Sequence, residues 1–399
     1  MVELAGWWNS NRLTLILIVA AVLGTIGSNA EAAHAHHLRK HSATHQAVPL
    51  YRAALLEYAD SGQILFQQNA DMEWPPASMA KMMMLLVAED QIHAGRFRLT
   101  DPVVISEQSA TTGGSRLGLR AGQVYPLGEL MKAALIRSAN DAAVAVAEKV
   151  GGSTEGCVRL MNLRARSLGM TGTEYHTVDG LPPTPGHDVD FTNAHDLAML
   201  ARAIIADTDL LKWSELETAL FDNGVFLLHN TNHLIGTFPG CDGIKTGFTF
   251  HAGFNLTATA KRGDFRVVAV VLGAPSNAQR FVQAGKLMDW GFNNFTTMSV
   301  LSQGQRLPMQ VRTTGGAVIE PVVARTVNVA VRRDSVHDIH FRFDVPPLVM
   351  GPVRAGMPLG RVTVIDGSEV LTQAEVICPR STISRSATDD TKVSMGDRY

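Results

Sequence analysis

A chain of 399 residues is longer than one hydrophobic core usually organises, so two domains are expected. With 46% hydrophobic and 18% charged residues it is a folding sequence rather than a disordered one, and a net charge of −2 offers no basic surplus that would point to nucleic acid. Cys157, Cys241 and Cys378 are far apart and form no CxxC pair, which argues against a zinc knuckle or a dithiol motif and leaves at least one thiol unpaired within the chain.

Arg12 precedes an apolar run over residues 13–27, and Ala30-Glu31-Ala32 and Ala33-His34-Ala35 follow. A charged start, an apolar stretch and A-x-A sites are the pattern of a secretory signal peptide, assigned to residues 1–33. The run is shorter than the roughly 20 residues a membrane span needs. An uncleaved N-terminal anchor is the alternative. Either way the chain is expected to work outside the cytoplasmic membrane, in the periplasm or cell envelope. Residues 34–48 carry His34, His36, His37, His41 and His45 at spacings that fit no single rigid metal site, so they read as a polar linker.

The fold is expected to begin near Pro49. Ala53 to Tyr58 and Gln63 to Gln67 read as two strands joined by the turn residues Asp60-Ser61-Gly62. Pro75-Pro76 then stops the chain, and Ala77-Ser78-Met79-Ala80-Lys81 leads into the apolar run Met82 to Val87, a buried helix reaching about Ala94-Gly95. Ser78 falls in its first turn with Lys81 three residues on, on the same face. A serine hydroxyl needs a base beside it, and a lysine serves only when neutral, which burial or a neighbouring cation achieves. Backbone N–H groups at a helix start can hold a developing oxyanion.

Ser115 to Gly122 reads as strand and turn. Leu127 to Ile136 reads as a helix that stops at Arg137-Ser138-Ala139-Asn140-Asp141, where Asn140 or Asp141 can cap a second helix, Ala142 to Val150, closed by Gly151-Gly152. Ser138 and Asn140 thus sit in a tight joint. Residues 159–170 look helical, 172–190 form a loop, and Thr192 is expected to cap a helix from His195 to Ile205. His195 and Asp196 read as first-turn residues of a surface helix rather than an acid–base pair. Asp242 to Thr249 carries Lys245-Thr246-Gly247, and strands follow at Phe254 to Ala260 and Phe265 to Leu272. Their patterning suits an antiparallel sheet covered by helices. Asn277 to Phe295 reads as a helix. From Met298 to Cys378, short alternating segments broken by Gly and Pro predict a small all-β domain, and residues 379–399 a disordered polar tail.

Lys245-Thr246-Gly247 has its own logic: a cation and a hydroxyl suit a carboxylate, and Gly247 lets a substrate backbone approach the strand. Each motif alone says little. Together, in the order SxxK, SxN, KTG, they match the trio of penicillin-binding proteins and class A β-lactamases. The sequence resembles the low-molecular-weight penicillin-binding proteins, specifically the serine-type D-alanyl-D-alanine carboxypeptidases. The resemblance rests on Pro76 to Met83, Arg137 to Ala142, Asn230-Thr231-Asn232, Asp242 to Gly247 and, in the β domain, Gly360-Arg361-Val362-Thr363-Val364.

That resemblance implies an α/β (α+β) fold: a β-lactamase/transpeptidase-like catalytic domain over 49–297, with an antiparallel sheet flanked by helices, and a small all-β C-terminal domain over 298–378. It implies that Ser78 is acylated and that Lys81 is the base for acylation and for the deacylating water. Ser138 would relay a proton between Lys81, Lys245 and the leaving amine. Asn140 would bind the substrate amide and steady Lys81. Lys245 and Thr246 would hold a terminal D-alanine carboxylate, and the N–H groups of Ser78 and Phe248 the oxyanion. Two lysines near one pocket repel, which lowers the pKa of one. The implied partners are peptidoglycan pentapeptides as substrate and β-lactams as covalent inhibitors, with no metal or cofactor. The tail after Cys378 has no apolar stripe, so membrane association is expected to be weak or absent after signal cleavage. Three rivals stay open: a β-lactamase, an endopeptidase acting on crosslinks, and a non-catalytic wall-binding scaffold. The first fits poorly, because Glu217 is followed by Leu220 and then Phe221 where class A enzymes carry x-x-Leu-Asn, and Ala139 replaces the aspartate of SDN.

Overall fold

The computed structural model describes residues 50–182, 188–207 and 209–382. The expected signal peptide, the histidine-rich linker and nearly all of the expected tail lie outside those residues. β1 (Ala53–Tyr58) and β2 (Gln63–Gln68) pair antiparallel around Asp60–Gly62, as the turn chemistry predicts. A 3₁₀ turn, Ala77–Met79, then leads into α1 (Ala80–His93). Residues 80–89 of α1 are buried on every side, so this helix runs through the core, where an apolar sequence without a polar face belongs.

β3 (Pro102–Val104), α2 (Glu107–Thr111) and β4 (Val124–Pro126) precede α3 (Leu127–Lys132). The helix expected to run to Ile136 changes pitch at Ala133, and Ala133–Arg137 is π-helical. α4 (Asn140–Gly151), α5 (Thr154–Leu168), α6 (Ala194–Asp207) and α7 (Leu210–Ser214) follow. Next come the hairpin β5 (Thr218–Phe221) and β6 (Phe226–His229), then β7 (Cys241–Thr249), β8 (Gly253–Arg262), β9 (Phe265–Ala274) and α8 (Asn277–Asn294).

The main sheet has the order β2-β1-β9-β8-β7 and is antiparallel throughout. Both faces are covered. Val268, Val270 and Leu272 of β9 face the core built on α1, α4 and α6, while Val267, Ala269 and Val271 face Phe281, Ala284 and Met288 of α8. The period of two assigns alternate residues to opposite layers, giving the α+β architecture expected.

The C-terminal region is all β: β10 (Phe295–Leu301), β11 (Val311–Thr313), β12 (Val318–Ile319), β13 (Val322–Val323), β14 (Val327–Arg332), β15 (Ile339–Asp344), β16 (Leu348–Val349), β17 (Pro358–Asp366) and β18 (Glu369–Ile377). β13-β18-β17-β15 form its largest sheet, over a core that includes Val329, Val362, Val364 and Val376. Ser381 and Thr382, read from sequence as the start of a tail, instead accept hydrogen bonds from Ala355 N–H (3.0 Å) and Val353 N–H (2.8 Å). Cys157, Cys241 and Cys378 are all free thiols.

The stretch Ser115 to Gly122 is a loop and not a strand. Its backbone N–H groups turn inward: those of Leu117, Gly118 and Leu119 all donate to the carboxylate of fully buried Asp141, at 2.8–3.1 Å. Neither Asp141 nor Asn140 takes the capping position expected of it, because the N-cap of α4 is Ala139, which makes no side-chain cap bond. Asp141→Asn replaces an acceptor by a donor that faces N–H groups, and should cost about 2–4 kcal/mol. Denaturant unfolding of the purified variant measures this, and a loss below about 1 kcal/mol would mean that the loop has other anchors.

Candidate active site

Ser78 lies in the 3₁₀ turn and Lys81 in the first turn of α1. The Lys81 Nζ is 2.9 Å from Ser78 Oγ and donates to the backbone carbonyl of Asp179 at 2.7 Å. Lys81 is fully buried, and burial pulls its pKa down from 10.5 to about 8 against the opposing charges of Asp179 and Asp190. Those carboxylates are held elsewhere. Asp190 accepts from His176 N–H, Thr177 N–H and Thr177 Oγ1, and Asp179 accepts from Leu181 N–H. These residues therefore give Lys81 a neutral carbonyl and withhold an ion pair.

The turn that carries Ser78 is fixed from three sides. Asn255 Nδ2 donates to the carbonyls of Pro75 (2.9 Å) and Pro76 (3.3 Å), tying it to β8. A Cβ on Gly247 would come within 2.6 Å of Pro76 O, so this glycine admits the serine turn itself, a requirement that the sequence alone does not reveal. Gly180, at φ +78°, packs so closely that a Cβ would lie 1.8 Å from Ala77 O. Ala77 itself holds φ +51°, a conformation that costs a residue bearing a Cβ about 1–3 kcal/mol and that persists where surroundings enforce it.

Ser138 follows the π-helical segment in a left-handed conformation, φ 62° and ψ 30°, and is 6% exposed. Single π turns recur at functional sites because the extra residue re-aims the side chains beyond it. Among the described residues the Ser138 hydroxyl makes no hydrogen bond. Asn140 donates through Nδ2 to Gly113 O at 2.7 Å, while its buried Oδ1 has no partner among the described residues.

Lys245, Thr246 and Gly247 lie on β7, the edge strand. Lys245 Nζ donates to Thr246 O at 2.9 Å, and its pKa is held well below the usual lysine value by burial, then by the charges of Lys81 and Arg280. Thr246 Oγ1 donates to Thr231 Oγ1 at 2.8 Å. Thr231 N–H in turn donates to Ile136 O (3.1 Å), and Asn232 Nδ2 to Gly243 O (2.9 Å). The Asn230-Thr231-Asn232 stretch thereby fastens the Ser138 joint to β7. Phe248 is 43% exposed on the same edge strand. His195 and Asp196 engage other partners: His195 Nδ1 meets Asp71 (3.2 Å), and Asp196, buried rather than on a helix surface as its sequence context suggests, accepts from Gly172 N–H and Thr173 Oγ1. Glu217, weighed as a β-lactamase glutamate, sits against Gly236.

Sequence reasoning passes over Asp179, Gly180, Asn255 and Arg280. Arg280 on α8 donates to Gly247 O (3.1 Å) and Asn255 O (3.3 Å). Only Asp179-Gly180 carries a local signal, a turn dipeptide in a polar loop. The others act across 25 to 180 residues.

The family model described as D-alanyl-D-alanine carboxypeptidase (peptidase S11) matches residues 40–276. The carboxypeptidase DacF of Bacillus subtilis is 30% identical over 391 residues, covering 97% of this chain and 98% of its own length. DacC of Escherichia coli is 37% identical over 251 residues, spanning 61% of this chain and 62% of DacC. Among solved structures, penicillin-binding protein 5 of Haemophilus influenzae superposes with a TM-score of 0.72 at 26% identity, over 83% of this chain and 97% of that one. Penicillin-binding protein D2 of Listeria monocytogenes, in its ampicillin-bound form, gives 0.56 at 30% identity, over 61% and 97%.

Two outcomes are expected from the geometry. If ampicillin acylates Ser78 and neutral Lys81 is the base, the acylation rate should rise about tenfold per pH unit below the Lys81 pKa and level off above about 8. Stopped-flow acylation between about pH 5.5 and 9.5 measures it, and a flat profile would remove Lys81 from that role. Gly180→Ala should slow acylation by at least about a hundredfold, since displacement of a reacting atom by about 1 Å costs that much. A variant that acylates at the wild-type rate would show that the serine turn tolerates the added methyl.

Proposed function

The chain belongs to the D-alanyl-D-alanine carboxypeptidase family of serine peptidases, and on that premise we propose that it removes the terminal D-alanine from peptidoglycan pentapeptide stems in the cell envelope, through an acyl-enzyme on Ser78. The observation that carries this reading is the 2.9 Å contact between Ser78 Oγ and a fully buried lysine amine whose other contact is a backbone carbonyl. Residues 49–297 are taken as the catalytic domain and 298–378 as the β domain. The 2.7 Å bond to Asp179 O occupies one Lys81 N–H, and in the neutral amine the lone pair is available to take the Ser78 proton.

In the first half-reaction Lys81 takes the Ser78 proton as Oγ attacks the carbonyl carbon of the penultimate D-alanine. The N–H groups of Ser78 and Phe248 receive the negative oxygen. The peptide C–N bond then breaks, and the proton passes from Lys81 by way of Ser138 to the departing amine. In the second half-reaction Lys81 takes a proton from water, the water oxygen attacks the ester, and the proton returns to Ser78 Oγ as the stem tetrapeptide leaves. Lys245 and Thr246 bind the terminal carboxylate. That anion opposes the burial, and then the repulsion by Lys81 and Arg280, that lower the Lys245 pKa, so substrate binding favours its charged form. The unpartnered Oδ1 of Asn140 accepts the substrate amide N–H.

β-Lactams offer the same carboxylate and a strained acyl donor, and they are expected to acylate Ser78, as the ampicillin-bound form of the Listeria relative illustrates for that protein. Incubating the purified chain with a pentapeptide ending in D-Ala-D-Ala should release free D-alanine and a tetrapeptide, both lost in Ser78→Ala. Cleavage of crosslinked dimers without action on the pentapeptide would make the enzyme an endopeptidase. A folded protein that releases no product and forms no penicillin adduct at Ser78 would favour the non-catalytic scaffold and sink the proposal.

A further inference from the structure

A hydroxyl carries one hydrogen and accepts at two lone pairs, so it donates to one partner at a time. In this structure Thr246 Oγ1 gives that hydrogen to Thr231 Oγ1 at 2.8 Å. On the carboxypeptidase reading Thr246 must instead donate to the terminal carboxylate, which offers only acceptors. Its oxygen then needs a donor of its own, because at 4% exposure it finds little water. Lys245, the other carboxylate ligand on that reading, is held below the usual lysine pKa by burial, then by the charges of Lys81 and Arg280. More of the binding therefore falls to the neutral hydroxyl and to its orientation.

Thr231 is placed to be the donor that Thr246 lacks. Its hydroxyl accepts from Thr246, and among the described residues its own hydrogen has no acceptor. Its backbone is held without the hydroxyl. Thr231 N–H donates to Ile136 O (3.1 Å). Asn230 Nδ2 donates to the carbonyls of Ser214 and Leu216, both at 2.9 Å, and Asn230 Oδ1 accepts from Asn232 N–H at 2.9 Å. Asn232 Nδ2 reaches Gly243 O at 2.9 Å, and Asn232 Oδ1 accepts from Leu234 N–H at 3.1 Å. Each of these bonds has a backbone group at one end. Of the three residues, Thr231 alone turns its side chain to a residue of the carboxylate site.

We propose that Thr231 is a positioning residue for the substrate's terminal carboxylate: once Thr246 donates to that carboxylate, Thr231 donates to Thr246 Oγ1 and keeps the Thr246 hydrogen on the anion. The hydrogen bond between the two hydroxyls reverses its direction, and no covalent bond forms or breaks. A hydroxyl that accepts one hydrogen bond donates the next more strongly, so the pair binds the anion better than Thr246 alone. The proposal rests on the carboxypeptidase reading and concerns the carboxylate only.

The test compares a pentapeptide ending in D-Ala-D-Ala with the same peptide closed as its C-terminal amide, which has no carboxylate to bind. On the full chain the acid should be the better substrate. In Thr231→Val, which keeps the shape and removes the hydroxyl, kcat/KM for the acid should fall about three- to tenfold, mostly through KM, while that for the amide holds; Thr231→Ser should restore the acid. Acylation constants for benzylpenicillin and its methyl ester give the same comparison should the amide turn over too slowly to measure. Equal losses on acid and amide would make Thr231 a prop for β7 and overturn the proposal, as would no loss on either. A gain on the acid would mean that Thr231 competes with the carboxylate for the Thr246 hydrogen, which overturns it too. A full chain that cleaves acid and amide equally well would remove the carboxylate role of Thr246 and Thr231 and leave the carboxypeptidase reading standing. Release of D-alanine from neither peptide, with no adduct from benzylpenicillin, would sink that reading first and the proposal with it.

Discussion

The site depends on a lysine amine that is buried without being paired. Bringing a charged ammonium into the core costs several kcal/mol unless an anion accompanies it. A pKa drawn from 10.5 to about 8 corresponds to about 3 kcal/mol of bias toward the neutral amine. Two aspartates lie near enough to oppose that bias, and direct contact with either would restore the charge and, on the proposed reading, remove the neutral base. The loop prevents this by engaging Asp190 with the His176 and Thr177 groups and Asp179 with Leu181 N–H. The group that reaches Nζ is a carbonyl, which orients the amine without holding its proton. The charges remain as a correction that opposes burial.

If Lys81 is the base, it is useful only with Ser78 held beside it, and much of the neighbourhood is concerned with that three-residue turn. Asn255, Gly247 and Gly180 approach it from β8, from β7 and from the loop over 172–190. Each comes from a different part of the chain. The left-handed Ala77 is tolerated because these contacts leave its carbonyl nowhere else to go. Ser138 reaches its position by a comparable device, a change of helical pitch followed by a left-handed residue. Both serines are thus aimed by irregular backbone set within regular elements, which positions them more rigidly than a free loop would.

This division also explains how much of the molecule can be read from its sequence. Ser78 and Lys81 are three residues apart, so their encounter is a property of helix geometry and is visible at once. The β1–β2 hairpin and the strands β7 to β9 are legible because alternation and turn residues are local signals. The irregular parts are not. Ser115 to Gly122 resembles a strand in composition, yet its N–H groups go to Asp141, which no periodicity can announce. Thr192 has the look of a cap for α6, but its hydroxyl meets Thr173 Oγ1, and Asn193 Oδ1 receives the helical N–H of Asp196 instead. β3, α2, β4 and the β5–β6 hairpin are too short to carry a pattern of their own. Arg280 and Asn255 act through backbone atoms far along the chain, where sequence spacing says nothing.

The two edges of the main sheet have opposite fates, and this places the site where it is. At the β1–β2 end the all-β region docks onto the turn. Gln63 exchanges hydrogen bonds with both backbone groups of Ala330 (2.9 and 3.0 Å), Asn328 reaches Asp60 (3.1 Å), and Tyr58 meets Thr297 (3.1 Å). Those contacts tie the C-terminal region to the end of the sheet farthest from β7. An open edge is normally a hazard, since unpaired backbone invites another strand. Here β7 is shielded along part of its length by the serine turn, against which Gly247 lies. Among the described residues, the part without a partner strand beyond Gly247 is short, ends in a turn, and follows the point where the Ser78 turn packs against Gly247. If the proposed reading holds, an extended peptide that adds there meets the Ser78 hydroxyl, and the sheet's vulnerable edge becomes its reactive one.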